Sequence, residues 1–247
     1  MLQLCPRLAA IAELVPPGQP LADIGTDHGR LPAALVLRGL VPRALACDRA
    51  AGPVARARAT IERNGITGRV LVRMGEGLAP LAIGEVDTVV VAGMGAETII
   101  RILAGHPEIT RALRRVVLQP NFGHELLRRW LVANGFTLVD ERLTLDRGRF
   151  YTVLAAEPTT AAAIPDWHDW RTWDDAGWAI GPFVLRNGGP LLVRHLTEEL
   201  QLRRAEAAGL AQASSPDPAR VAAATARVDL LARALAKATA LAHPGAA

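Results

Sequence analysis

Lysine is almost missing from this chain of 247 residues. Lys237 is the only lysine, so nearly every basic residue is an arginine, and the formal net charge is +4. Arginine forms paired hydrogen bonds with phosphate more readily than lysine does, which favours a nucleic-acid partner. A composition rich in alanine and arginine is also typical of GC-rich codon usage. On composition alone, codon usage is the favoured interpretation, and a nucleic-acid partner is the alternative.

Cysteine is scarce as well, and its two positions argue against a metal or disulfide framework. Cys5 and Cys47 are far apart in the sequence, and neither belongs to a CxxC motif or a Cys/His cluster. We therefore predict two reduced, structural thiols, with no disulfide and no metal site.

Long apolar runs are absent too. The longest, such as Val86 to Ala92, are far shorter than the roughly 20 residues needed to span a bilayer. The first ten residues also lack the cleavage pattern of a signal peptide. Half of the residues are hydrophobic, which is enough to build a core. We expect a folded cytoplasmic protein without a membrane segment.

Short apolar runs alternate with helical patterns between residues 20 and 135, as in repeated βαβ units with a parallel sheet. The predicted strands are Leu21–Ile24, Ala44–Cys47, Val70–Val72, Val86–Ala92 and Val116–Leu118. The predicted helices are Pro32–Arg38, Val54–Asn64, Glu97–Leu103 and Glu125–Asn134. Two further strands, Phe136–Leu145 and Phe150–Ala156, are joined by four residues only. Because four residues cannot hold a crossover helix, these two strands are predicted to form a hairpin.

A parallel sheet that ends in an antiparallel hairpin indicates an α/β fold of the Rossmann-like class I methyltransferase type. A nicotinamide-binding Rossmann domain would continue with another βαβ unit. We predict this domain over residues 1–157, followed by a linker rich in Pro, Asp and Trp over residues 158–190. Residues 191–247 are predicted to form an antiparallel helical hairpin, because two long helical patterns are separated by a Ser/Pro/Asp break at 214–218.

The strongest local motif is the segment from Leu21 to Gly29, where a strand ends at an acidic residue and turns through glycines into a helix. Gly25 permits a ligand to approach the backbone closely, and Asp23 is suited to a cationic amino group. Asp27 occupies a position where a phosphate-binding loop often has glycine, and its carboxylate would repel a pyrophosphate. The loop therefore favours a sulfonium amino acid, and S-adenosylmethionine is the predicted cofactor.

Three later strand ends add polar or small residues to this predicted cofactor site. Asp48 ends the second strand, where a carboxylate can accept both ribose hydroxyls of a nucleoside. Glu76 follows the third strand and is placed to meet an adenine amino group. Gly93 follows the fourth strand and leaves room for a ligand at the carboxyl edge of the sheet.

These motifs, taken in order, resemble a known family. The blocks DIGTDHGRLP, ACDRA, MGEGL, VAGMGAETI, LQPN and GPFVL are similar to those of the bacterial tRNA (adenine-N1)-methyltransferases called TrmK, and the resemblance covers nearly the whole chain. It implies methylation of N1 of an adenine in the D-arm region of tRNA, with S-adenosylmethionine bound at Asp23, Gly25, Asp48, Glu76 and Gly93. It also implies that the C-terminal helical hairpin helps to hold tRNA.

Four residues are candidates for contact with the reacting adenine. Methylation at N1 leaves the base cationic, and a carboxylate at Asp27, or His28 beside it, could stabilise that charge. Gln119 and Asn121 follow the fifth strand and could hydrogen-bond the base edge. His28 could instead bond locally, and the two amides could only satisfy a turn. No Asn/Asp-Pro-Pro-Tyr motif is present, which favours a ring nitrogen over the exocyclic amine.

Arginines and tryptophans suggest where RNA could lie, although packing explains them too. The arginine candidates are Arg203 and Arg204, then Arg220, Arg227 and Arg233, with a second patch at Arg128 and Arg129. The tryptophans Trp167, Trp170, Trp173 and Trp178 could stack on bases, but packing is favoured for them.

Three alternatives remain open at this point. A methyltransferase for a small molecule or protein would share the whole cofactor site. A tRNA-binding protein could have kept the fold and lost catalysis. A nicotinamide-dependent reductase is disfavoured by the hairpin and by Asp27. We expect a monomer.

Overall fold

A computed structural model describes residues 2–159 and 169–242. It divides into two compact units, 1–170 and 171–247. Among the described residues, no helix is long and apolar enough to cross a membrane.

The first unit is built on a seven-stranded sheet in the order β3-β2-β1-β4-β5-β7-β6. Its strands are β1 (Leu21–Ile24), β2 (Ala44–Asp48), β3 (Val70–Met74), β4 (Thr88–Met94), β5 (Arg115–Pro120), β6 (Phe136–Asp146) and β7 (Arg149–Pro158). The first five pair in parallel, and β7 enters antiparallel between β5 and β6. This topology confirms the predicted α/β methyltransferase fold, and it brings the carboxyl ends of β1 to β5 to one edge of the sheet.

Within residues 2–159, six helices accompany the sheet. They are α1 (Pro6–Glu13), α2 (Arg30–Leu37), α3 (Ala51–Arg63), α4 (Ala96–Ala104), α5 (Pro107–Ala112) and α6 (His124–Ala133). The sequence patterns predicted α2, α3, α4 and α6 within a few residues but missed α1 and α5. The core residues of α1 include Ile11, which is fully buried. Helix α1 therefore belongs to the fold and is not a leading tail.

The predicted hairpin is present, and its turn explains its register. Asp146 pairs with Arg149, and the two residues between them, Arg147 and Gly148, both have positive φ. Such a two-residue turn matches the right-handed twist of the flanking strands.

One predicted surface contact is wrong. Arg128 is fully buried, and its Nε donates to Oε1 of the equally buried Glu141 at 2.7 Å. A side chain held in this way cannot reach a phosphate, whereas its neighbour Arg129 is exposed.

Both cysteines are free. Burial raises the pKa of the Cys47 thiol to about 12, and the nearby Asp23 carboxylate adds to this effect. Cys47 therefore stays protonated at neutral pH and is a poor nucleophile.

The second unit is helical. It contains α7 (Asp175–Ile180), α8 (Pro182–Asn187), α9 (Pro190–Ala211) and α10 (Pro218–Ala242). The two long helices pack together, as predicted, and bury Leu196 and Leu200 on α9 with Leu231 on α10. The Asp217 side chain accepts hydrogen bonds from the first backbone amides of α10, which is why the helix starts there.

Two short helices of this unit, α7 and α8, lie in the segment predicted as a linker. Trp178 on α7 is 8% exposed and meets the Trp173 ring edge-on, with centroids 4.9 Å apart. Packing therefore accounts for Trp178. Trp170 is partly exposed, and Trp167 lies outside the described residues.

Candidate functional site

A cavity of about 690 Å³ opens at the carboxyl edge of the sheet. Its walls come from the ends of β1 to β4 and from α4, which is where ligands bind in open α/β sheets. Its volume is within the range of small-molecule and cofactor pockets. Three residues predicted to bind the cofactor line it, namely Gly25, Asp48 and Glu76.

The turn after β1 is held by the neighbouring strand. The backbone amides of Gly25 and Thr26 both donate to the carbonyl of Cys47 on β2, at 2.8 and 3.0 Å. Gly25 has φ +78°, and a Cβ at this position would overlap the end of the Met94 side chain. The positive φ therefore favours glycine here, whereas the flexible end of Met94 could move aside for a small side chain.

Asp23 lies inside β1 and is 8% exposed. Burial raises the pKa of this carboxyl to about 6, while a hydrogen bond from Thr26 and the positive charge of Arg7 partly oppose the rise. The Thr26 hydroxyl also accepts from the Gly29 amide at 3.1 Å, which orients it. A buried carboxylate of this kind gains from a cationic partner. Asp23 is not among the cavity-lining residues, so its predicted contact with the cofactor remains a prediction.

Asp48 and Glu76 face the cavity from the next two strand ends. Asp48 Oδ1 accepts from the Ala50 amide at 2.8 Å, which fixes the carboxylate at the end of β2. Glu76 is exposed on the turn after β3. Both residues present carboxylate oxygens to the cavity, and their predicted contacts with the ribose and the adenine remain predictions.

Gly93 lies beside the cavity and does not line it. The register between β4 and β5 shifts between Ala92 and Met94, so Gly93 is the extra residue of a bulge. Its carbonyl accepts from Asn121 Nδ2 at 2.8 Å, and the Asn121 amide donates to the Met94 carbonyl at 2.7 Å. Asn121 thus ties the loop after β5 to the end of β4.

Gln119 is fully buried, and both ends of its amide are engaged within the protein. Its Nε2 donates to the Pro120 carbonyl at 2.9 Å and to Asn121 Oδ1 at 3.3 Å, and its Oε1 accepts from Arg7 at 2.8 Å. The contact with a base edge that was predicted for Gln119 would require these bonds to be given up.

Arg7 was not predicted from the sequence. Its guanidinium comes from α1, donates to Gln119 and lies 5.6 Å from the centroid of the Tyr151 ring. Tyr151 is the only tyrosine of the chain. No local pattern marks Arg7, because its partners lie on β5 and β7, far along the sequence.

Asp27 and His28 are exposed on the loop before α2 and do not line the cavity. The Asp27 carboxylate forms an ion pair with Arg56 of α3, and His28 Nε2 lies 3.1 Å from its other oxygen. His28 therefore interacts with the neighbouring Asp27, which is the local interaction that the sequence had left open for it. Their predicted role at the reacting base stays a prediction.

Sequence reasoning also missed the α4 side of the cavity, which consists of Thr98, Arg101 and Ile102 followed by Gly105 and His106. A Cβ placed on Gly77 would be in van der Waals contact with Ile102, so an apolar wall lies close to the turn that carries Glu76. The cavity therefore pairs apolar surface with carboxylates, which suits a nucleoside with a cationic end. No group of three or more possible metal ligands occurs among the described residues.

Comparison with known proteins places these features in one family. The methyltransferase-domain family matches residues 4–154. The tRNA (adenine(22)-N(1))-methyltransferase of Bacillus subtilis is 34% identical over 200 residues, which are 81% of this chain and 82% of that protein. The crystal structure of the B. subtilis m1A22 tRNA methyltransferase TrmK superposes with a TM-score of 0.84 at 30% identity and covers 95% of this chain and 100% of its own. A putative tRNA (m1A22) methyltransferase of Streptococcus pneumoniae, solved with S-adenosyl-L-methionine, gives 0.80 at 27% identity over 93% of this chain and 98% of its own.

Proposed function

This chain belongs to the TrmK family of tRNA (adenine-N1)-methyltransferases, and from that membership we propose that it methylates N1 of the adenine at position 22, in the D-arm region of tRNA. S-adenosylmethionine is the cofactor. The proposal includes a cytoplasmic, monomeric enzyme that works without a metal.

The cavity at the carboxyl edge of the sheet is the observation that carries this proposal. Asp48 and Glu76 offer carboxylates to the ribose and the adenine of the cofactor, and Ile102 offers apolar surface. The amino acid end of the cofactor would lie over Gly25, towards the buried Asp23 carboxylate. These carboxylates and this apolar surface fit a nucleoside joined to a cationic amino acid.

The transfer needs alignment more than it needs a base. When bound, the cofactor supplies a methyl group activated by a positively charged sulfur. The lone pair of adenine N1 forms the new bond to carbon while the carbon–sulfur bond breaks and its electrons pass to sulfur. N1 carries no proton in neutral adenine, so none has to be removed. The protein's task is to hold the two partners in line and to tolerate the positive charge left on the base.

The second unit supplies the proposed contact with tRNA phosphates. Arg203, Arg220 and Arg227 line a cavity of about 410 Å³ between α9 and α10, on the hairpin itself. Arg203 forms ion pairs with Glu199 and Glu206, which offset its charge. Arg220 and Arg227 are therefore the stronger candidates in this group.

Methyl transfer to defined transcripts tests the proposal. Labelled S-adenosylmethionine is incubated with unmodified tRNA, and the product nucleoside is identified by mass and retention. We expect 1-methyladenosine from a transcript with adenine at position 22. A matched transcript with guanine at that position should take up no label.

Each competing function predicts another result. If the cofactor binds and the folded protein methylates no tRNA, the tRNA substrate is wrong and a small-molecule or protein methyltransferase is favoured. If tRNA binds and the cofactor does not, the chain is a binding protein that has kept the fold.

A further inference from the structure

The Phe122 side chain is 66% exposed and follows β5 directly. Single exposed apolar residues are common and need no explanation. The backbone that carries this side chain, however, is held by hydrogen bonds beside the cofactor cavity.

Residues 121 and 122 are hydrogen-bonded to the end of β4 and to the start of α4. The Asn121 amide donates to the Met94 carbonyl, the Asn121 side chain donates to the Gly93 carbonyl, and the Ala96 amide donates to the Phe122 carbonyl at 3.1 Å. Three hydrogen bonds therefore hold the backbone that carries the Phe122 ring. Because this backbone is already held, a base that stacks on the ring restricts only the rotation of the Phe122 side chain.

The Phe122 ring occupies the space where a side chain at Gly95 would be. A Cβ on Gly95 would overlap the ring, with Cε2 only 2.6 Å away. Gly95 has φ −71°, which any residue can adopt, so its backbone does not require glycine. A side chain at position 95 would therefore force the exposed ring to turn away from this position. Gly95 also lines the cavity, which places the ring on the other side of the cavity wall.

We propose that Phe122 is the stacking platform for the target adenine, held beside the methyl donor by its contact with Gly95. This inference rests on the proposed function. N1 of adenine is inaccessible in a Watson–Crick pair, so the base must leave its helix before it reacts and must lose its stacking neighbours. An exposed aromatic ring replaces that stacking and is the usual protein surface for an unpaired base.

The chemistry also favours an aromatic face over an aliphatic one. The adenine becomes positively charged as the bond to N1 forms, and the face of an aromatic ring attracts a cation. Phe122 therefore stabilises the methylated base more than the unmodified one. Its loss should lower the rate of methyl transfer as well as the affinity for tRNA.

Substitutions at position 122 test this role. Phe122→Ala should lower kcat/KM for tRNA about 10- to 100-fold, the effect of losing one stacked base. Phe122→Tyr, which keeps the aromatic face, should stay within about threefold of the wild type, while Phe122→Leu should remain about tenfold impaired. The control is Leu71→Ala, which removes a half-exposed apolar side chain from the far edge strand β3 and should leave the kinetics unchanged.

Two further measurements separate stacking from a structural effect. The affinity for S-adenosylmethionine, measured by calorimetry, should not change in Phe122→Ala. A tRNA with 2-aminopurine at position 22 should fluoresce more strongly when bound to Phe122→Ala than to the wild type, because the ring quenches the stacked base.

Equal activity of the Ala and wild-type proteins would overturn the inference. So would equal activity of Leu and Tyr at position 122, or a parallel loss of cofactor affinity in the Ala variant. Failure of the proposed function looks different, because the wild-type protein would then form no 1-methyladenosine at all.

Discussion

The carboxyl edge of the sheet is built in two different ways. On what we call the carboxylate side, the ends of β1 to β3 place Gly25, Asp48 and Glu76 around an open cavity. On what we call the amide side, the ends of β4 and β5 form a network in which Gln119 and Asn121 bond to the protein itself. One side presents polar groups to a ligand, and the other uses them to fix a loop.

This difference predicts how substitutions on each side should behave. Changes on the carboxylate side should alter cofactor affinity and leave tRNA binding intact. Changes on the amide side should alter the transfer of the methyl group to tRNA. The five predictions below follow from this comparison, starting with the largest expected effect.

The largest effect is expected for Asp48→Asn. The substitution removes the charge that would hold the ribose hydroxyls but keeps an oxygen that can accept from the Ala50 amide. The dissociation constant for S-adenosylmethionine should rise about 10- to 100-fold, as for loss of hydrogen bonds to a charged group. Calorimetry would measure it, with tRNA affinity as the control. An unchanged cofactor affinity would show that Asp48 only caps its own turn.

Asp23 should make cofactor binding depend on pH. Burial raises its pKa to about 6, so the carboxylate is protonated below that pH and cannot attract a cation. The affinity of the wild type for S-adenosylmethionine should fall about tenfold as pH drops from 8 to 5, in keeping with one ionisable group. Asp23→Asn should show the weak affinity at every pH. If the cofactor affinity of Asp23→Asn still depended on pH, a group other than Asp23 would be responsible.

The same carboxyl should make the wild type less stable than Asp23→Asn at high pH. Its folded pKa lies above its unfolded value, so the folded state releases its proton at greater cost, and stability is lost as pH rises from about 4 to about 6. The Tm of Asp23→Asn, relative to that of the wild type, should therefore be higher at pH 8 than at pH 4. This would be the behaviour of a site that gives up stability for binding.

Arg7→Gln tests whether the two sides are coupled. The Arg7 charge opposes the rise of the Asp23 pKa, so its removal should raise that pKa further above 6. Cofactor affinity should then weaken already near pH 7, which shifts the midpoint of the pH profile upward. Loss of the bond to the buried Gln119 should also lower stability by about 1–3 kcal/mol. If the Tm falls and the pH midpoint stays, Arg7 acts on the fold alone.

The two sides also differ in how far the sequence predicts them. The turn after β1 is a local pattern, because its acidic residue, its glycine and the strand before it are neighbours in the chain. Arg7 and Gln119 are 112 residues apart, and no local pattern joins them. The closeness of Gly95 and Phe122 likewise depends on the pairing of β4 with β5. Helix α1 was missed for the same reason, since its burial comes from tertiary contacts.

Asp27→Asn should have the smallest effect of the five, although Asp27 was the first candidate for stabilising the methylated base. Its side chain is 62% exposed, lies off the cavity and is paired with Arg56, so solvent and a neighbouring cation weaken its field. We expect a loss of about threefold in the single-turnover rate of tRNA methylation, the effect of a screened surface charge. Arg56→Gln serves as the matched control, because it releases the same carboxylate and should raise the rate slightly. A loss of more than a hundredfold in Asp27→Asn would mean that tRNA binding brings this loop onto the base, and the carboxylate would then act directly on the reacting adenine.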